Sequence, residues 1–343
     1  MNPHIKRFST HLLLGLAMAV SLNVSAREIT DGSGQQVQLP DSKITRVADG
    51  WFAHSSLMMT LGLGDTLVAT VNHPRSRPWM FKLQPSLDNA LLAQGKLFNG
   101  EELVNRGVQL AFLMTGDPQA AGLERLGIPV VQVHFTTLPG LQKALTLTAK
   151  AMGEDNAVKR AASYNQYLQH QLSRITAKTD KLPDSKRPSV VHIFSFNPLK
   201  VDGQDTLIDN WIHIAGGKNA ATVKGTMQQV SAEQLLSWQP DVVIIGATAG
   251  KLQNSPDAAL LSQLKAVKQG HVLYNPSGVF PWDRYGTESA LQIQWAAKAL
   301  HPELFSQDKM VPITRDFYRE FFQYPLTQVQ AERILKGLPP ETM

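Results

Sequence analysis

Short apolar runs alternate along the chain with longer stretches whose apolar residues recur every three or four positions. Residues 43–48, 66–71, 109–114 and 129–133 are short apolar runs and predict strands. Between them, 52–61, 101–105 and 120–126 predict helices. The alternation returns later, with strands at 189–194, 241–245 and 271–274 and helices at 209–215, 232–237 and 260–267. Strands separated by helices imply mainly parallel sheets covered on both faces. The fold class is therefore α/β, in two lobes.

Between the halves, 138–178 is mostly polar and lacks strand patterning. Within it, Ala157, Ala161, Tyr164, Leu168, Leu172 and Ile175 share one helical face. Asp155 is placed to cap this helix and Leu182-Pro183 to stop it. The helix would run about 35 Å at 1.5 Å per residue. One stiff helix between lobes resists the hinge motion that flexible linkers allow. The expected organisation is a first lobe over 27–137, a linking helical segment over 138–185, and a second lobe with a helical tail over 186–343. In that tail, Phe317, Phe321 and Phe322 predict a packing stripe.

The first 26 residues stand apart. Lys6 and Arg7 precede an apolar run from Leu12 to Val20, and Val24-Ser25-Ala26 supplies small residues. That order predicts a secretory signal peptide, since a spanning helix needs about 20 apolar residues. The chain contains no cysteine, which excludes disulfides, thiolate metal sites and a lipid-anchored N-terminus. The expected location is the periplasm, free of the membrane. With 33 Lys+Arg against 28 Asp+Glu and no basic stripe, no nucleic-acid partner is expected.

Catalytic signatures are missing: no H-E-x-x-H, G-x-S-x-G or P-loop occurs. Gly62-Leu63-Gly64-Asp65 follows a helix and precedes a strand. This reverses the order a dinucleotide loop requires, and the segment reads as a helix-ending turn. His54, His73 and His134 each follow a strand of the first lobe, where open α/β sheets place ligands. A secreted metal-dependent hydrolase using these three is the reading from another class. His54 and His134 are also candidates to complete the coordination of a metal carried by a ligand.

Large aromatic and cationic residues collect in the loops after predicted strands. Trp51 and His54 follow the first, and Arg75, Arg77 and Trp79 follow the second. Phe196 lies beyond a second-lobe strand, and Trp282, Arg284 and Tyr285 follow the last one. Rings beside guanidinium groups suit a flat anionic ligand, through apolar area, cation–π contact and charged hydrogen bonds.

The order of these parts resembles the class III periplasmic substrate-binding proteins of ABC importers. The motifs that carry the resemblance are Ile29-Thr30-Asp31-Gly32-Ser33-Gly34, Leu61-Gly62-Leu63-Gly64-Asp65, Leu126-Gly127-Ile128-Pro129-Val130 and, above all, 230–236 leading into Gln239-Pro240-Asp241. The resemblance implies a monomeric receptor without catalysis or cofactor, carrying a metal chelate, foremost a ferric siderophore, to membrane permease subunits. Haem, a nickel or cobalt chelate, or cobalamin are the alternative cargoes. It also implies an acidic docking residue on each lobe, Glu101 and Glu233. The first-lobe strand departs from the family pattern, reading Val108-Gln109-Leu110 in place of Pro-Asp-Leu.

Overall fold

The computed structural model describes residues 27–341, so the signal peptide expected over 1–26 lies outside the described residues. The chain opens with an antiparallel hairpin, β1 (Arg27–Thr30) and β2 (Gln36–Leu39). Its turn is held by the Asp31 carboxylate, which accepts from the Ser33 and Gln35 amides at 2.9 and 3.0 Å and from the distant Gln132 amide at 3.0 Å. One side chain thus both shapes the turn and ties it to the first sheet.

That sheet is wholly parallel, with β3 (Val47–Asp49), β4 (Leu67–Thr70), β5 (Leu91–Leu92), β6 (Leu110–Met114) and β7 (Val130–Val133) in the order β5-β4-β3-β6-β7. The second contains β8 (Ser189–Phe196), β9 (Leu199–Val201), β10 (Lys218–Asn219), β11 (Gln228–Gln229), β12 (Val242–Ile245) and β13 (Val272–Tyr274). Its main path is β11-β9-β8-β12-β13, with β8, β12 and β13 parallel and β9 and β10 both paired to β8. In each sheet the chain winds outward in both directions from a central strand. The order therefore reverses between β3 and β6 and between β8 and β12, and such switch points open a crevice beyond the strands' carboxyl ends.

The first-lobe departure from the family pattern has a structural explanation. Asp241, at the start of β12, accepts from the Ser189 amide and hydroxyl, both at 2.9 Å. Gln109, at the start of β6, accepts from the Thr45 and Arg46 amides at 2.8 and 3.1 Å. Carboxylate and amide oxygen thus do the same work, pinning the chain that enters the central strand. A neutral acceptor suffices because both donors are backbone amides.

The region between the sheets holds two helices. Leu138–Met152, which its Thr, Lys and Gln content hides in the sequence, buries Leu138, Leu141, Leu145, Ala149 and Met152 on one face. Gly153 ends it at φ 72°, a conformation that favours glycine. Asp155–Thr179 follows, 25 residues and about 37 Å long, and all six apolar positions of its expected face are buried. Helix 260–267, by contrast, resolves into two short pieces, Ala258–Leu261 and Lys265–Lys268.

The two sheets are tied together below the crevice. Ser56 Oγ accepts from the Thr287 amide at 3.2 Å, and the Thr60 and Thr287 hydroxyls lie 2.7 Å apart. The Tyr164 hydroxyl, on the long helix, donates to the Thr287 carbonyl, and Arg160 donates to the Thr60 and Phe321 carbonyls, both at 2.8 Å. A single apolar core runs from Leu57 and Trp79 through Tyr164 to Trp211, Trp282 and Phe317.

Glu288 fastens the segment that follows β13. Its fully buried carboxylate accepts from the Val279 and Phe280 amides, the Trp282 indole and the Tyr318 hydroxyl of helix Met310–Phe321. Gly278 is required beside it, since a Cβ there would sit 1.7 Å from the Tyr318 hydroxyl. Burial pushes the Glu288 carboxyl up from the usual 4.5 to about 7, against the pull of its donors. The folded chain therefore keeps a proton that the unfolded chain has lost between these values. Stability should fall as pH rises from about 4.5 to about 7, by on the order of 3 kcal/mol. Glu288→Gln lowers stability overall but should flatten this slope; thermal unfolding at a series of pH values reads it, and an unchanged slope refutes the assignment.

Candidate functional site

The crevice above the tethers is a cleft of about 600 Å³ between the two sheets. Its walls are the segments after the switch-point strands: Gly50–Ala53 after β3, Met114–Pro118 at the end of β6, Phe194 on β8, and Gly246 and Thr248 after β12. Phe280, Pro281, Asp283, Arg284 and Tyr285 close one end. The aromatic floor is continuous. The Trp51 ring lies 5.8 Å from Tyr285 and 5.5 Å from Phe135, and Phe135 lies 5.7 Å from Tyr285. Trp51 and Phe135 come from the first lobe and Tyr285 from the second, so tilted and edge-on ring contacts join the lobes.

Two guanidinium groups reach the cleft from opposite lobes. Arg77 lies 4.7 Å above the Phe280 ring, and Arg284 lies 4.6 Å above the Phe194 ring. Burial lowers the pKa of Arg77, with the nearby Asp283 opposing. Arg77 nonetheless stays protonated, as an arginine does in proteins. Its contacts are few: one terminal nitrogen donates to the Ser76 carbonyl at 2.8 Å, and its buried Nε has no partner among the described residues.

Arg284 is differently placed. It forks onto Asp202 through two bonds of 3.0 and 2.7 Å, with Asp202 wholly buried. Behind it, His192 places Nδ1 2.8 Å from Asp202 and Nε2 2.7 Å from Asp283. Ionised carboxylates only accept, so both imidazole nitrogens carry protons. Burial alone would lower the His192 pKa, but the two carboxylates outweigh it and hold it raised. Burial likewise opposes ionisation of Asp202, yet Arg284 and His192 hold its pKa below the usual carboxylate range. One histidine, one arginine and two aspartates balance in charge. Gly246 roofs this group, since a Cβ there would come 3.2 Å from both Asp283 Oδ2 and the His192 ring.

Of the residues expected from sequence, Trp51, Arg77, Arg284, Tyr285 and His134 line the cleft. His134 is exposed, with its pKa lowered by partial burial. Five others stand elsewhere. His54 is fully buried, with Nδ1 3.2 Å from Asp49 and Nε2 2.9 Å from the Thr148 hydroxyl. Both ring nitrogens are committed, so neither ligand nor metal can reach it. Trp79 points inward on helix Pro78–Leu83, and its indole donates to the Leu338 carbonyl at 2.9 Å. Trp282 is buried on Glu288, Arg75 is exposed outside the cleft wall, and Phe196 faces the core of the second sheet. The three histidines of the hydrolase reading do not converge, and no group of three or more His, Asp or Glu able to hold a metal forms among the described residues.

Several cleft residues carried no local signal. Met114 and Met227, both exposed, face it from opposite lobes. His192 and Asp202 lie on and beside strands, and only their meeting with Arg284 across 82 residues or more gives them a role. Glu101 and Glu233 are exposed in the first turns of helices Gly100–Asn105 and Ala232–Trp238. Asn99 caps the first helix and Ser231 the second, where Ser231 Oγ accepts from the Gln234 amide at 3.1 Å. The Glu233 pKa is lowered by its own amide and by Ser231.

Removing Arg284 would leave Asp202 buried without its main counter-charge. Arg284→Met should therefore destabilise the fold by about 3–5 kcal/mol, read in denaturant unfolding. A loss below about 1 kcal/mol would show that Asp202 does not depend on this partner.

Residues 118–278 match the family described as periplasmic binding protein. The chain is 25% identical to the molybdate-binding protein MolA of Haemophilus influenzae, across 91% of this chain and 96% of that one. A solved structure of MolA bound to molybdate superposes with a TM-score of 0.76 at 20% identity, covering 88% of this chain and 99% of that one. A periplasmic solute-binding protein of Veillonella parvula gives 0.78 at 25% identity, covering 90% and 97%. Helicobacter pylori CeuE with Ni(II) bound gives 0.72 at 18%, covering 90% and 99%. No helix among the described residues is long and apolar enough to cross a membrane. Family match, fold and shared length agree: residues 118–278 match the periplasmic binding proteins, and the chain has the fold of that class, two α/β lobes joined by one long helix.

Proposed function

We propose that the cleft captures a metal complex presenting negatively charged oxygens, with a ferric chelate of siderophore size as the leading cargo. The observation that carries this is Arg77, a guanidinium with few protein partners held over the Phe280 ring, in a cleft floored by Trp51 and Tyr285 and walled on the other lobe by Arg284. Guanidinium groups suit oxygen anions and rings suit planar chelating groups. A volume near 600 Å³ matches a drug-sized ligand. His134 is the one candidate of the original pair still able to meet a metal, where the chelator leaves a position open. A bare oxyanion such as molybdate is the second reading, favoured by the kinship with MolA along most of the chain. Release then takes place at a permease, with Glu101 and Glu233 as the docking carboxylates.

Titration against ferric catecholate and hydroxamate complexes, haem, nickel–histidine and molybdate, followed by calorimetry and by quenching of Trp51, separates these cargoes. Arg77→Met should weaken the true cargo by about tenfold to a hundredfold, the range of charged hydrogen bonds, while leaving unfolding unchanged, because Arg77 has so few protein contacts. Equal affinity in the variant would remove Arg77 from the site.

Docking has its own test. Replacing Glu101 and Glu233 together with Ala should leave cargo affinity intact and depress uptake in cells. Undiminished uptake would reject the docking role.

A further inference from the structure

The methionines among the described residues are unevenly placed. Met58, Met59, Met80 and Met152 are buried in the apolar core, and Met310 is half-buried against it. Met114 and Met227 alone are exposed, at 40% and 42%, and both line the cleft, one from each lobe. Met114 ends β6, directly after the wholly buried Ala111, Phe112 and Leu113. Met227 stands at a φ of 55°, a backbone conformation unfavourable for any residue with a side chain of this size. Its amide donates to the wholly buried Asp202 at 3.0 Å, which holds it there. Strain that the surroundings enforce in this way gathers at ligand clamps. A single exposed apolar side chain is ordinary on a protein surface. Two long thioethers presented to one cleft from both lobes, one of them fixed by a buried carboxylate, are not.

We propose that Met114 and Met227 act as side-chain jaws: they fold over the apolar rim of the bound complex, so the cleft prefers chelates whose negative oxygens are carried on aromatic rings over oxyanions that have no such rim. This deepens the proposed function and rests on it. The hydrogen bonds that tie the lobes together oppose a wide hinge closure, so whatever covers the cargo has to move within the cleft. Methionine suits that task, being unbranched, free to turn about three bonds, and polarisable at a sulfur that packs well against aromatic rings. Such side chains re-pack around ligands of different outline without a change of backbone. Arg77 meets the charge of the complex and the jaws meet its rings. Molybdate offers them no apolar surface and leaves both methionines in water.

The test pairs two double variants. Met114→Gln with Met227→Gln keeps side-chain length and removes the apolar end, whereas Met114→Leu with Met227→Leu keeps the apolar area. The probes are a hexadentate tris-catecholate of iron(III) and molybdate. The Gln pair should weaken the catecholate at least about tenfold, as expected when apolar burial of this size is lost, and leave molybdate within about threefold. The Leu pair should retain most of the catecholate affinity. In wild-type protein labelled at the methionine methyls, with diamagnetic gallium(III) replacing iron, the Met114 and Met227 signals, identified by their loss in the Leu pair, should shift on binding while those of the buried methionines stay. Tighter wild-type binding of molybdate, equal loss of both probes in the Gln pair, no loss at all, or methyl signals unmoved by a bound chelate overturns the jaws while leaving the capture of metal complexes standing. Failure of the wild-type protein to bind any chelate of the panel overturns both. Should the Gln pair not fold, the wild-type methyl signals decide the matter by themselves.

Discussion

The cleft depends on one buried pairing, the fork between Arg284 and Asp202. Without a counter-charge, a guanidinium could not be held at 6% exposure against a phenyl ring, and a carboxylate could not be held at none. Asp202 also accepts the Met227 amide at 3.0 Å, which fixes that residue at its positive φ of 55° on the cleft rim. His192 then links Asp202 to Asp283, and Asp283 offers its backbone carbonyl to the Trp211 indole at 3.3 Å. Charge, rim conformation and core packing in the second lobe therefore meet at a single group. A partly satisfied network of this kind would be worse than an apolar core. Here one oxygen, Asp283 Oδ1, is buried without a partner among the described residues.

A second constraint sets how the lobes can move. Ser56, Thr60, Tyr164 and Thr287 bind the two lobes to the long helix, and Trp51, Phe135 and Tyr285 meet ring to ring across the join. Closing this cleft by a wide hinge would break packed rings and buried hydrogen bonds together. Specificity must consequently come from residues already in place, and less from a closing motion. That is why the asymmetry between Arg77, almost without protein partners, and Arg284, already neutralised, matters to the site. The former is available to cargo charge, and the latter mainly shapes the wall.

Much of the fold was legible in the sequence. The short apolar runs fell on β3, β4, β6, β7, β8, β12 and β13, and the face from Ala157 to Ile175 is buried as its spacing required. These signals are local, because alternation and helical period are set by neighbours a few residues away. Helix Leu138–Met152 escaped because its Thr148, Gln142 and Lys residues dilute the apolar stripe, and Thr148 is in fact buried on His54.

The sequence by itself determined that large rings and arginines would gather at the carboxyl ends of the strands. Only the tertiary structure decided which of them face the cleft. Trp79 and Trp282 have the same composition signal as Trp51, yet their indoles are drawn inward by Leu338 and Glu288, acceptors 259 and 6 residues away. His54 turns from candidate ligand to core residue because Asp49 and Thr148 claim both nitrogens. Asp202 and His192, silent in the sequence, become the support of Arg284. The reason is physical: a side chain's direction follows from where its hydrogen-bond partner lies, and for buried groups that partner is seldom a sequence neighbour.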